Sequence, residues 1–303
     1  MTASYPSTSV GDWAEYAVPH QAPEIELLRA HFAGHAYERH SHQAYAIGVT
    51  EAGVQAFNCR GAARASLAGM VMAFNPDEPH DGHAADAQGF TYRMLYISPE
   101  LVRRVIQAAR EERAAALPYA RTPVIEDREL AAHVSALHRA LAEGAPRLDC
   151  DALLDAAILC FAARHADRGA ITQGAAAPGE IALRRVRDFL HDAPLGEDIA
   201  ADTLARLAGM SRFHLWRAFR RRYGLPPHAY RMQRRLAAAR DMLVQGEAPA
   251  AVAAALGFAD QSHLHKRFKG AYGITPGQFA AAAATRKYPD APAERYGRRD
   301  DWR

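Results

Sequence analysis

The chain repeats itself once toward its carboxy end, and that repeat limits what this half can fold into. Leu215, Phe219, Tyr223, Gly224 and Pro227 recur as Leu264, Phe268, Tyr272, Gly273 and Pro276, each 49 residues later. Gly209 recurs as Gly257 after 48 residues, so the second copy carries one extra residue in its turn. Two copies are too few for a solenoid. Each copy reads instead as two short helices. The first, about 201–208 or 249–256, ends at Gly209 or Gly257, where a left-handed residue closes a helix easily. Ser211 or Asp260 then offers a side-chain oxygen to cap the second helix. Leu215 and Phe219, four apart, share one face of it, as do Leu264 and Phe268. Each second helix stops at Tyr-Gly, with a proline soon after. Helix, Gly-containing turn, helix is a helix-turn-helix unit.

The outer face of each second helix carries chemistry. The first presents Arg212, Phe213, Trp216, Arg217, Arg220 and Arg221; the second presents Gln261, Ser262, His265, Lys266 and Lys269. Phe213, Trp216, Arg217 and Arg220 fall at i, i+3, i+4 and i+7, one stripe. Two readings stay open: the aromatic rings pack on a neighbouring helix, or the helix enters a DNA groove. In the second, the rings contact thymine methyls, Arg217 and Lys266 reach guanine edges, and Gln261 pairs with adenine. Arg220, Arg221, Arg222, Arg267 and Lys269 would hold phosphates. Between the units, Pro227–Val244 reads as one helix, with Pro227 at its start and Gly246 closing it. Its 18 residues give roughly 27 Å of stiff spacer, against about 34 Å for one DNA turn.

Charge follows the same division. Of 303 residues, 1–180 carry 15 Arg against 22 acids, net −7, and 181–280 carry 16 basic against 8 acidic residues, net +8. The last 23 residues are net +2. A basic half joined to an acidic one suggests that the basic half meets a polyanion. The Gly, Ala and Pro of 169–179 read as a linker. The expected organisation is a sensor domain over 1–168, a linker over 169–180, a helical domain over 181–280 and a disordered tail over 281–303. Hydrophobic residues at 49% and charged residues at 23% exclude global disorder. There is no apolar run of 18 residues for a membrane span, and MTASYPSTSVGDWAEY has neither the basic start nor the apolar core of a secretion signal. Cys59, Cys150 and Cys160 are too scattered for a disulfide framework, which fits the cytoplasm.

The amino-terminal half alternates short apolar segments with turns: Ala44–Thr50, Val54–Cys59, Ala63–Leu67, Met70–Asn75 and Phe90–Ile97. Strands at this spacing suggest a β-sandwich or barrel. Tyr92, Met94 and Tyr96 would share one face of the last strand. His40 and His42 point to one side of a strand, and His80 follows on a loop into the same barrel. Three histidines can hold Zn²⁺ or Fe²⁺, or line a pocket, or brace the barrel mouth. Arg39 and Arg93 stand ready for an anionic ligand or for solvent. Helices are expected over Leu101–Arg113, Asp127–Glu143 and Asp149–Asp167, the last two with apolar stripes.

The strings LARLAGMSRFHLWRAF (204–219) and GFADQSHLHKRFKGAYGITPGQF (257–279) resemble the DNA-binding domain of AraC/XylS-type transcription regulators. Arg39-His40-Ser41-His42, Gly53 and Pro76 to Gly82 resemble the small cupin-like barrel that precedes it in many of them. The resemblance implies an α+β two-domain chain, a cupin-like barrel with helices followed by an all-α double helix-turn-helix domain. By matching position, base contacts fall on Phe213, Trp216 and Arg217, and on Gln261, Ser262, His263 and Lys266. An effector site falls on Arg39, His40, His42, His80, Tyr92 and Met94. Metal-binding cupin enzymes add a Glu soon after His-x-His; here Ala46 and Ile47 stand there and the first later acid is Glu51, so no metal or cofactor is assigned. The implied function is a regulator, with activation the commoner mode, controlled by a small molecule in the barrel. Its partners are promoter DNA, a second copy of the chain and RNA polymerase. The alternatives are a metal-dependent cupin enzyme fused to a DNA-binding domain and a ligand-independent architectural DNA binder.

Overall fold

The computed structural model describes residues 11–20, 22–110, 117–168 and 178–284. Strands β1 (Trp13–Ala17), β2 (Ile25–Phe32), β3 (Tyr37–His40), β4 (Tyr45–Cys59), β5 (Ala62–Leu67), β6 (Val71–Phe74), β7 (His80–Ala84) and β8 (Phe90–Ile97) come first. Helix α1 (Pro99–Arg110), β9 (Pro118–Ala120), β10 (Val124–Ile125), α2 (Arg128–Ala142), α3 (Arg147–Arg164) and β11 (Ala166–Arg168) complete the amino-terminal domain. The main ladder runs β1-β2-β8-β4-β6-β10, while β9 and β11 form a separate pair. The pairings are antiparallel.

One strand builds the barrel. The segments 44–50 and 54–59, expected as two strands, are the halves of β4. Its first half pairs with β8 and β6, its second with β5 and β7. The register slips between Thr50 and Ala52, and Gly53 follows at φ +71°, where a Cβ would stand 2.0 Å from the Gly89 carbonyl oxygen. A bulge and a residue without Cβ let the strand bend from one sheet into the other. Alternation then sorts the side chains. Leu28, Ala30, Phe32, Ala46, Met72, Phe74, Phe90, Tyr92 and Met94 fill the space between the sheets. Ile25, Leu27, Ile47, Val49, Leu95 and Ile97 point the other way, against apolar residues of α1, α2 and α3.

The carboxy-terminal domain is helical: α4 (Pro178–Asp192), α5 (Ala201–Ala208), α6 (Arg212–Tyr223), α7 (Pro227–Val244), α8 (Pro249–Ala255), α9 (Gln261–Tyr272) and α10 (Pro276–Ala284). It has two cores. Leu183, Val186, Leu190, Leu204, Leu215 and Phe219 make one; Leu236, Leu243, Val252, Leu264, Phe268 and Phe279 make the other. Helix α7 runs between them and is tied down by buried arginines. Arg231 donates to the carbonyls of Pro194 and Glu197 at 2.5 and 2.7 Å. Arg235 donates to those of Leu195 and Gly257 at 2.8 and 3.1 Å.

Two expected domain limits move, and one residue changes element. Residues 178–180, read as linker, open α4, and 169–177 lie outside the described residues. Residues 281–284, read as tail, finish α10, with Ala283 only 3% exposed. An alanine run shows no apolar periodicity yet favours helix intrinsically. The rest of the tail, 285–303, and the Glu-Glu-Arg of 111–113 lie outside the described residues. His80, expected on a loop, opens β7.

Candidate nucleic-acid interface and sensor core

Both second helices are capped as their residue types demand. Ser211 Oγ accepts from the His214 N–H at 3.2 Å, and Asp260 Oδ1 accepts from the His263 N–H at 2.6 Å. Gly224 and Gly273 close α6 and α9 in the left-handed region. With Leu215 and Phe219 committed to the core, the opposite face of α6 is left to solvent. Phe213 is 69% exposed and Trp216 37%. Phe213 therefore does not pack on a neighbouring helix, while Trp216 is about two-thirds covered. The guanidinium of Arg217 lies 5.4 Å from the Phe213 ring centre, and that of Arg220 5.3 Å from Trp216. Such contacts hold the long cations along the helix face. Arg221 is exposed beside them. Arg212 is not free: it pairs with Asp202 of α5. Arg222 pairs with Glu180 at 3.3 Å.

On α9, Gln261, Ser262, Lys266 and Lys269 are exposed. His263 is half-buried. Its Nδ1 stands 3.3 Å from the Ala259 nitrogen and its Nε2 3.4 Å from Arg267 Nε; a neutral ring has one lone pair, so it accepts from one of these two N–H groups at a time. It braces the turn before the helix.

The sensor residues gather in the barrel, with one departure. His40, His42 and His80 are buried, and their ligand atoms all lie within 4.8 Å of one another. His40 and His80 are register partners across β3 and β7. His40 Nδ1 donates to the Glu38 carbonyl at 2.7 Å and His80 Nδ1 to the Glu78 carbonyl at 2.9 Å. The Nε2 atoms of His40 and His42 stand 3.1 Å apart. Phe74 stacks on His80 with ring centres 3.8 Å apart, and Tyr96 lies 4.7 Å from His42. Burial, reinforced by the neighbouring imidazole, lowers His40 to about 3; burial likewise lowers His80 to about 4, and holds His42 well below the usual range. All three rings are neutral near pH 7. Tyr92 shares a 2.5 Å hydrogen bond with Tyr37, and Met94 packs over Gly48. Arg39 leaves the barrel and donates to the Gly224 carbonyl at 3.3 Å. Arg93 is paired with Glu51.

Sequence reasoning missed the seam between the domains. Arg240 of α7 pairs with Glu26 of β2 and lies over the rings of Tyr272 and Phe279 at 5.0 and 5.2 Å. Burial works against its charge, but Glu26, Tyr16 and Tyr272 hold its pKa well above the ordinary arginine value. Arg267 meets Glu38 at 3.2 Å. The capping glycines of both reading helices touch the sensor: a Cβ on Gly224 would stand 2.4 Å from Pro79, and one on Gly273 2.5 Å from the Tyr37 hydroxyl. Beside this seam, Phe213, Trp216, Arg217 and Arg220 line a cleft whose other wall includes Arg60 and Tyr119.

Two family models match this arrangement. Residues 22–159 match the AraC-like ligand binding domain, and 204–282 match a helix-turn-helix domain. The chain belongs to the AraC-type transcription regulators. This regulator carries a ligand-binding domain and a helix-turn-helix DNA-binding domain. It is 27% identical over 244 residues to the uncharacterized HTH-type transcriptional regulator YbfI of Bacillus subtilis, covering 80% of this chain and 87% of that one. Apo ToxT from Vibrio cholerae superposes with a TM-score of 0.50 at 11% identity, covering 90% of this chain and 98% of that one. Wild-type ToxT with a bound unsaturated fatty acid gives 0.51 at 10% identity, with 92% and 97% covered. At such identity the likeness concerns the fold. No helix among the described residues is long and apolar enough to cross a membrane.

Proposed function

We propose that this regulator reads a promoter through α6 and α9 in successive major grooves, and that an effector in the amino-terminal barrel alters that reading. The observation that carries the DNA-reading half is the exposure of Phe213 and Trp216 beside Arg217 and Arg220. An exposed ring and a second at the surface, both beside cations, mark a binding face. Phe213 and Trp216 contact thymine methyls, Arg217 and Lys266 reach guanine, and Gln261 reaches adenine, with Ser262 beside it. Arg220, Arg221 and Lys269 hold phosphates and set the register. His263 reaches a base only by giving up Ala259 and Arg267.

His40, His42, His80, Tyr92 and Met94 form the effector-responsive core. Arg39 acts at its edge, where a shift of β3 moves Gly224. The chain works in the cytoplasm as a homodimer that contacts RNA polymerase and activates transcription. We read it as a regulator rather than an enzyme because a ligand-binding domain is joined to a helix-turn-helix domain. Selection of bound sequences from a random DNA pool tests this reading, with and without candidate effectors. One enriched site with two short blocks is expected; a pool that stays random would overturn it.

A further inference from the structure

The geometry points to a transition-metal site formed by His40, His42 and His80, one that binds a divalent ion of the zinc, cobalt or nickel class. This deepens the reading of the barrel as the ligand-sensing half and rests on it.

The donor atoms are prepared by the backbone. His40 and His80 each spend the Nδ1 hydrogen on a carbonyl two residues earlier, at 2.7 and 2.9 Å. A neutral ring with its hydrogen on Nδ1 carries a lone pair on Nε2. Fixing the distal nitrogen in this way is how proteins orient metal-binding imidazoles. The two strands bring these rings together in register, so their approach does not depend on flexible side chains. Phe74 stacked on His80 locks one ring further.

His42 completes the set. Its Nε2 stands 3.1 Å from that of His40. Two nitrogens on one tetrahedral zinc, with bonds of about 2.0–2.1 Å, stand roughly 3.3 Å apart. Without an ion, a hydrogen on His42 Nε2 bridges the pair. With one, that hydrogen moves to His42 Nδ1, a buried atom that has no hydrogen-bonding partner among the described residues. The change is a tautomer shift and releases no proton. Three neutral imidazoles with no carboxylate disfavour magnesium and calcium, which take oxygen ligands, and suit the borderline divalent ions. Three protein ligands leave a fourth position for water or a small ligand.

The place of the site gives it a consequence. His42 lies 6.1 Å, ring centre to ring centre, from Tyr272 at the end of α9. Glu38, whose carbonyl orients His40, also holds Arg267 of α9. An ion at the three histidines therefore sits one residue away from the second reading helix.

The test uses the full chain, stripped with chelator and dialysed against Zn²⁺ or Co²⁺. One ion per chain is expected, with Co²⁺ giving visible ligand-field bands. His42→Asn and His80→Asn should each weaken binding more than about 100-fold, beyond the loss typical of outer-shell changes. His138→Asn, a buried histidine outside the cluster, should leave binding intact. X-ray absorption of the zinc-loaded wild type needs no variant and counts imidazole neighbours. Three nitrogens from imidazole support the site; fewer than three, a sub-stoichiometric ion, or binding that survives both variants would overturn it. Failure here leaves DNA selection untouched, and failure of DNA selection leaves ion binding untouched, so the two readings fall separately.

Discussion

Leu215 and Phe219 occupy in the first helix-turn-helix unit the places that Leu264 and Phe268 occupy in the second, and Ser211 and Asp260 cap the same turn. Outward the units diverge. The first offers two aromatic rings among arginines; the second offers Gln261, Ser262 and Lys266; both meet β3, the first through Gly224 and Arg39, the second through Arg267 and Glu38. The interior sets the fold and tolerates little change, while the surface, which we propose carries the base preference, differs between copies. One backbone thus presents two different outer surfaces.

The comparison breaks first at the core. Phe219→Ala and Phe268→Ala should each cost about 3–5 kcal/mol in urea unfolding, because both rings are fully buried. A much smaller loss at either would mean that the two interiors are not equivalent. The surfaces come next. Arg217→Ala and Lys266→Ala should each remove about 1–3 kcal/mol of preference at one base pair, at different positions of the site. Equal weakening on cognate and scrambled DNA would make either residue a phosphate contact. The caps follow: Ser211→Ala and Asp260→Ala should each destabilise by about 1 kcal/mol, measured by thermal unfolding. Smallest is Lys269→Ala, which should lower the salt slope of binding by about 0.9 without changing sequence preference.

Legibility in the sequence followed the range of the forces involved. Caps, C-terminal glycines and the α7 limits Pro227 and Val244 were readable because each depends on residues within a turn or two. The exposure of Phe213 was readable only as an alternative, since a stripe does not say what covers it. Strand β2 escaped because both its faces are buried, which erases the apolar–polar alternation. The pairing of His40 with His80 depends on ladder register between strands about 40 residues apart. Arg231, Arg235 and Arg240 looked like part of a polyanion-binding charge. They serve carbonyls and Glu26 instead, so part of the basic excess is structural.

In the proposed mode of binding, α7 holds α6 and α9 at a fixed spacing on one face of the duplex. Once the selected site is known, five base pairs inserted between its two blocks should rotate one block about half a turn away and reduce affinity to that of random DNA. Unchanged affinity for the lengthened site would mean that the two helices are not held at a fixed spacing.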